Sequence, residues 1–179
     1  RFFFFFFFCR LQFYSKELCK WCEELKEPLS LHRQIWSWCY IAQVLKNEQM
    51  LEPGKRGLGF GVGNEPLPAL FANYGCSVLA TDLVKPRRSQ INRKEICETD
   101  RFKDLVQVGL ADMNRIESYL CEYDVVWSSA SAHLLGDISN GFKFLRKSLD
   151  CLKPVGIAVH TLEYNLSSNW HSVTTGPLV

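Results

Sequence analysis

The 179-residue chain predicts an α/β protein, a three-layer α/β/α sandwich around a mainly parallel sheet. Three observations predict it. Short apolar runs alternate with longer segments of helical periodicity, which is the pattern of βαβ units. The runs end in glycine or in a short polar residue: Gly61, Asp82, Asp112 and Ser128. In a parallel sheet those ends share one edge, where ligands bind. The length also suits one domain.

The elements follow in order. Residues 11–27 are charged and amphipathic and read as a helix, interrupted by Pro28. Residues 31–50 repeat apolar positions at three and four (Ile35, Trp36, Trp38, Cys39, Ile41, Ala42, Val44, Leu45), a helix with a wide apolar face. Pro53-Gly54 ends it. Residues 56–60 form a short strand that runs into glycines. Residues 66–74 read as a helix, with Pro66 in its first turn and Gly75 at its cap. Residues 77–80 are a second strand, closed by Thr81-Asp82. The basic, polar stretch up to Asp100 reads as loop plus a weak helix. A third strand spans 105–109, and Asp112-Met113 is expected to open a short helix to Leu120. Residues 123–127 are a fourth strand. Asp137 caps a helix through Leu149, Lys153-Pro154 turns the chain, and 156–162 is a fifth strand.

Composition narrows the function classes. About 47% hydrophobic residues and a net charge of +2 are ordinary for a globular chain. Lys85, Arg87, Arg88, Arg93 and Lys94 are the nearest thing to a basic cluster and lack the interleaved aromatics of a nucleic-acid patch, so no nucleic-acid partner is expected. Cys19 and Cys22 form one CxxC with no second half, so no zinc site is expected. The other cysteines sit mostly in apolar stretches and behave as small hydrophobes, which suits a reduced, cytoplasmic setting. The Phe2 to Phe8 run is too short to span a bilayer and matches neither strand nor helix periodicity. It fits a misassembled start of the coding sequence or the remnant of a membrane-adsorbing segment. Residues 1–30 are accordingly set apart as an extension, with the domain at 31–179.

The chemistry concentrates in Gly59-Phe60-Gly61-Val62-Gly63-Asn64-Glu65-Pro66. Glycines after a strand let the backbone turn and approach a ligand closely. The G-x-G-x-x-G dinucleotide fingerprint fails in every register, since its last place falls on Val62, Asn64 or Pro66, and the P-loop pattern is absent. A nucleoside without a cradled diphosphate remains, and a nicotinamide-dependent oxidoreductase is disfavoured. Asp82, with Leu83 beside it, lies 19 residues after Gly63 and can accept hydrogen bonds from ribose hydroxyls. Asp112 can take an adenine amino group and Met113 can lie on the ring; Asp112 is equally placed to cap a helix. Ser128 and Ser129 end strand four, either as site residues or as a simple strand terminus. His133 reads as structural or solvated.

This ordered set, from the glycine loop through Asp82, Asp112-Met113 and residues 123–129 to Leu152-Lys153-Pro154-Val155-Gly156, resembles the class I S-adenosylmethionine-dependent methyltransferases of the small type 11 kind over residues 31–168. The resemblance implies a Rossmann-like methyltransferase fold and S-adenosylmethionine as cofactor. Phe60, Gly61, Gly63, Asn64 and Glu65 would face its methionine part, Asp82 and Leu83 its ribose, Asp112 and Met113 its adenine, and Ser128 the transfer point. His32-Arg33 and Trp36 to Tyr40 resemble the helix that precedes the fold and covers the cofactor. The implied activity is methyl transfer to an unidentified acceptor, a small molecule or a glycan, with no catalytic base assigned. The sequence departs from the pattern in four places. Gly59 stands where an acidic residue is usual, and Glu65 replaces the third loop glycine. His133-Leu134 replaces Glu-His, and Pro154-Val155-Gly156 replaces Pro-Gly-Gly. The family's last two strands find no room in 174–179. The chain is therefore expected to be C-terminally truncated, with a degenerate cofactor-binding fold lacking catalysis as the alternative.

Overall fold

The computed structural model describes residues 15–30 and 32–162. The phenylalanine run, Cys9, Leu31 and the segment 174–179 lie outside the described residues.

The elements are α1 (Lys16–Glu24), α2 (Arg33–Asn47), β1 (Arg56–Phe60), α3 (Leu67–Asn73), β2 (Ser77–Asp82), α4 (Arg88–Ile91), α5 (Thr99–Leu105), β3 (Val106–Leu110), β4 (Tyr123–Ser129), α6 (Ile138–Ser148) and β5 (Leu152–Thr161). The strands form one sheet in the order β3-β2-β1-β4-β5, and every pairing is parallel. β1 is central and hydrogen-bonded on both sides. All five carboxyl ends therefore open on one edge, as the sequence predicts.

Two cores flank the sheet. On one side Val78, Ala80, Val125, Trp127 and Val159 pack against α1, α2, α3 and α5. On the other, Leu58, Phe60 and Val126 pack against Phe144 of α6 and against Met113 and Leu120. These are the three layers, held by apolar burial on both faces of the sheet. α1 with its C-cap Leu25, although part of the stretch set apart as an extension, contributes Leu18, Trp21, Cys22 and Leu25 to the first core. Trp21 Nε1 donates to Gln43 Oε1 of α2 at 2.8 Å. Cys22, Cys39, Cys76, Cys97 and Cys151 are buried thiols, as their apolar surroundings suggest. Cys22 and Cys39 face each other at 3.9 Å.

Two sequence expectations are corrected. The residues after Asp112 form no helix. Asp112 Oδ1 accepts from the Asn114 amide at 2.8 Å, and Asp112 bridges to Arg115, so the side chain closes a turn instead of capping a helix. The fifth strand starts at Leu152, not at Gly156. Lys153-Pro154 lies inside it, where the register slips from Tyr123↔Leu152 to Val125↔Ile157 and Val155 takes φ 62°. This bulge absorbs the proline, which cannot donate to the ladder. The polar stretch before Asp100 holds α4 and is followed by α5, whose N-cap Glu98 accepts from the Asp100 and Arg101 amides. Asp137 caps α6 as expected, accepting from the Asn140 amide at 2.7 Å.

Candidate functional site: the carboxyl edge of the sheet

The glycine loop leaves β1 at the centre of the edge. Gly61 and Gly63 take φ 62° and 50°, a region that favours glycine. A Cβ on Gly61 would lie 2.7 Å from Cβ and Oγ of Ser131 and 3.4 Å from Cε of Met113. The backbone therefore threads between the segment after β4 and the segment after β3. The Val62 amide donates to the Thr81 carbonyl at 3.0 Å, and Thr81 Oγ1 donates to the Gly59 carbonyl at 2.7 Å, so the loop continues the bonding of β1 to β2.

Asp82 ties this arrangement together. Its Oδ2 accepts from the Gly63 amide at 2.8 Å and its Oδ1 from the Leu83 amide at 2.7 Å. Each carboxylate oxygen has a further lone pair, so the group can still accept from a ligand. Leu83 is 64% exposed beside it. Asp112 is exposed on the next strand end, with Met113 buried behind it. The structure thus brings Gly61, Gly63, Asn64, Asp82, Leu83 and Asp112 to one open edge.

Four expected site residues turn inward. Phe60 is fully buried and meets Phe144 edge-on at 5.4 Å between ring centroids, so only its backbone reaches the loop. Met113 supports Gly61 from below. Ser128 has no exposed surface. Its Oγ lies 2.8 Å from His160 Nδ1, and His160 Nε2 lies 3.1 Å from Ser148 Oγ on α6. Ser148 donates its proton to the Leu145 carbonyl at 2.8 Å. It must therefore accept from Nε2–H, which leaves Nδ1 as the acceptor of the Ser128 hydroxyl proton. The Ser128 hydroxyl is committed to the α6 layer.

Desolvation of the ring pushes His160 down from its ordinary 6.5 to about 4, because burial disfavours the charged form. A folded-state value below the unfolded one means that the unfolded chain binds more protons. The stability His160 contributes is thus complete above pH 6.5 and is lost as pH falls through 4, by about 3 kcal/mol. Urea midpoints measured from pH 7 to pH 4.5 should fall in the wild type, and the fall should shrink in His160→Gln. Equal slopes in the two proteins would remove His160 as the cause.

Glu65 is the fourth. Its side chain is 4% exposed, and Oε1 accepts from Trp127 Nε1 at 2.7 Å. Burial raises its pKa to about 8; the Trp127 and Trp38 N–H groups oppose the rise and Asp82 adds to it. The buried Trp38 N–H also faces this carboxyl and has no other hydrogen-bond partner.

Several contacts of the edge are not legible in the sequence. Trp127 lies across β1, within 2.4 Å of where a Gly59 Cβ would stand, so the glycine at the usual acidic position is required by an indole. A glycine inside a strand signals such close approach. Ser129, which follows Ser128 on the opposite face of β4, has a buried hydroxyl with no partner. Ala130 takes φ 47°, held by the Thr161 carbonyl and hydroxyl at 3.1 and 3.0 Å from its amide. Strained backbone of this kind concentrates at functional sites. His133 belongs to a short 3₁₀ turn (Ala132–Leu135), and its side chain lies outside the described structure.

No family model matches the chain, and no curated protein matches it either. Solved structures do share its fold. The CcbJ methyltransferase from Streptomyces caelestis is 19% identical with a TM-score of 0.52, covering 72% of this chain and 50% of its own. The glycopeptide N-methyltransferase MtfA complexed with sinefungin is 14% identical with a TM-score of 0.55, over 69% and 49%. YjhP from E. coli is 20% identical with a TM-score of 0.51, over 69% and 47%. The chain spans about half the length of these structures. The fold is therefore the Rossmann-like fold that these structures, two of them methyltransferases, share.

Proposed function

We propose that the carboxyl edge binds S-adenosylmethionine and that the chain is the cofactor-binding part of a methyltransferase. The observation that carries this reading is the joint placement of the Gly61–Gly63 turn and Asp82, bonded to each other at 2.8 Å on adjacent central strands. Two features fit a ligand of this class. Gly61 and Gly63 turn the backbone at positive φ and carry no side chain onto the edge. The buried Ser129 hydroxyl lacks a partner, a cost that a bound polar group would relieve.

Within this reading Asp82 accepts the ribose hydroxyls and Leu83 flanks the nucleoside. Asp112 takes the adenine end through its exposed side chain. The loop from Gly61 to Asn64 offers backbone to the amino-acid end, and Met113, Phe60 and Glu65 hold that loop from beneath. Ser129 replaces Ser128 as the strand-four side chain available to the site. The cofactor supplies an already electrophilic methyl group. The protein's task is then mainly to align an acceptor with it, and no side chain is assigned as a base. An acceptor of small-molecule or glycan type fits a site formed by loops at an open edge. The buried thiols suit a cytoplasmic setting, and no helix among the described residues is long and apolar enough to cross a membrane.

Isothermal titration with S-adenosylhomocysteine, with NAD as the control, tests the reading. Saturable binding of the first alone is expected. Binding of NAD in its place, or of neither by the folded chain, would refute it.

A further inference from the structure

Glu65 occupies an unusual position for a charge. It stands two residues before α3, yet its carboxyl points into the protein, against the Trp127 N–H at 2.7 Å. From α2 it meets Trp38, whose buried N–H has no other partner. From β2 it meets Asp82, an acidic side chain. α3 brings apolar side chains (Leu67, Ala69, Leu70 and Phe71) to its buried face. On the outer side of Asn64 and Pro66, Glu27 is engaged by Lys94 at 2.6 Å and by Arg93 at 3.9 Å. No basic side chain among the described residues pairs with Glu65. A carboxylate buried without a cation and next to a second acid is strongly disfavoured, and the neutral acid takes its place.

We propose, on the basis of the methyl-donor reading above, that Glu65 reads ligand charge: its carboxyl is protonated in the free site and releases that proton when the positively charged donor seats over the loop. The O–H bond of the acid breaks, the electron pair stays on oxygen, and the proton passes to bulk water. The carboxylate left behind is then balanced by the sulfonium of the donor. The demethylated product has a neutral sulfur and lacks this charge, so it holds the carboxylate form less well. The site therefore favours donor over product increasingly as pH rises, which assists product release and exchange. With burial holding the free acid to about 8, Glu65 is mostly protonated at pH 7.

The test is isothermal titration of the full chain with S-adenosylmethionine and, separately, S-adenosylhomocysteine, at pH 7 in phosphate and in Tris, whose ionisation heats differ. The donor is expected to release close to one proton per site and the product clearly less. Donor affinity is expected to rise about tenfold per pH unit from pH 6 towards 8. Glu65→Gln keeps an acceptor oxygen for Trp127 and is expected to lose both the proton release and the slope while still binding the product. The wild-type comparison decides the matter even if that variant is unstable. Equal proton counts and equal slopes for the two ligands would overturn the role of Glu65 and leave the methyl-donor site standing. Binding of neither ligand at any pH would overturn both.

Discussion

Replacing Gly59 by alanine is expected to cost the fold about 3 kcal/mol, at the upper end of ordinary overpacking. The new methyl would lie 2.4 and 2.7 Å from Cζ2 and Cε2 of Trp127 and 2.7 Å from Cγ2 of Val62. A flexible side chain would give way at little cost, but this ring cannot. Trp127 is fully buried, sits edge-on to Phe71 at 4.9 Å, and donates its N–H to Glu65. Shifting the indole breaks that hydrogen bond and leaves a buried carboxyl unsatisfied, which alone costs about 1–3 kcal/mol. Gly141→Ala in α6 is the control. Its added methyl meets nothing closer than the Ala132 carbonyl at 3.6 Å, and alanine in a helix interior is favoured over glycine by about 0.5–1 kcal/mol. Urea unfolding should therefore move the two variants in opposite directions. A Gly59→Ala midpoint equal to that of the wild type would show that Trp127 is not fixed as described.

Removing the Asp82 carboxylate should weaken S-adenosylhomocysteine binding at least 100-fold. Asp82→Ala loses two things at once. The Gly63 and Leu83 amides lose their acceptor at 2.8 and 2.7 Å, so the loop is no longer tied to β2. The ribose hydroxyls lose theirs as well. Hydrogen bonds to a charged acceptor contribute about 1.5–3 kcal/mol each, so two such losses reach the 100-fold range. Asp82→Asn keeps one acceptor oxygen and turns the other into a donor that faces an amide N–H. An intermediate loss of about tenfold is expected from it. Unchanged affinity in Asp82→Ala would remove the ribose assignment.

The framework was legible in the chain because its signals are local. β1 matches the predicted span from Arg56 to Phe60, since a short apolar run meets glycine at once. Asp137 announced the start of α6. Asp82 stands out in the sequence because it closes an apolar strand abruptly, and it lies at the carboxyl edge bonded to Gly63. Side-chain direction was harder to read. β4 is buried on both faces, so its sequence does not alternate and nothing in it distinguishes Ser128 from Ser129. One residue of parity moved the expected site hydroxyl into the α6 layer. The family resemblance assigns Glu65 to the cofactor's methionine part because it stands in the glycine loop. Its inward turn depends on Trp127, 62 positions later in the chain. The helix expected after Asp112 failed for a local reason, since the same aspartate geometry closes a turn as readily as it caps a helix.

The central claim is that the loop, Asp82 and Asp112 form one ligand site at the carboxyl edge. Backbone amide spectra of ¹⁵N-labelled protein titrated with S-adenosylhomocysteine test it most directly. Saturable shifts at Gly61, Gly63, Leu83 and Asp112, with one common affinity and none of them produced by NAD, are the predicted result. Saturable shifts that leave these four amides unmoved would contradict the account.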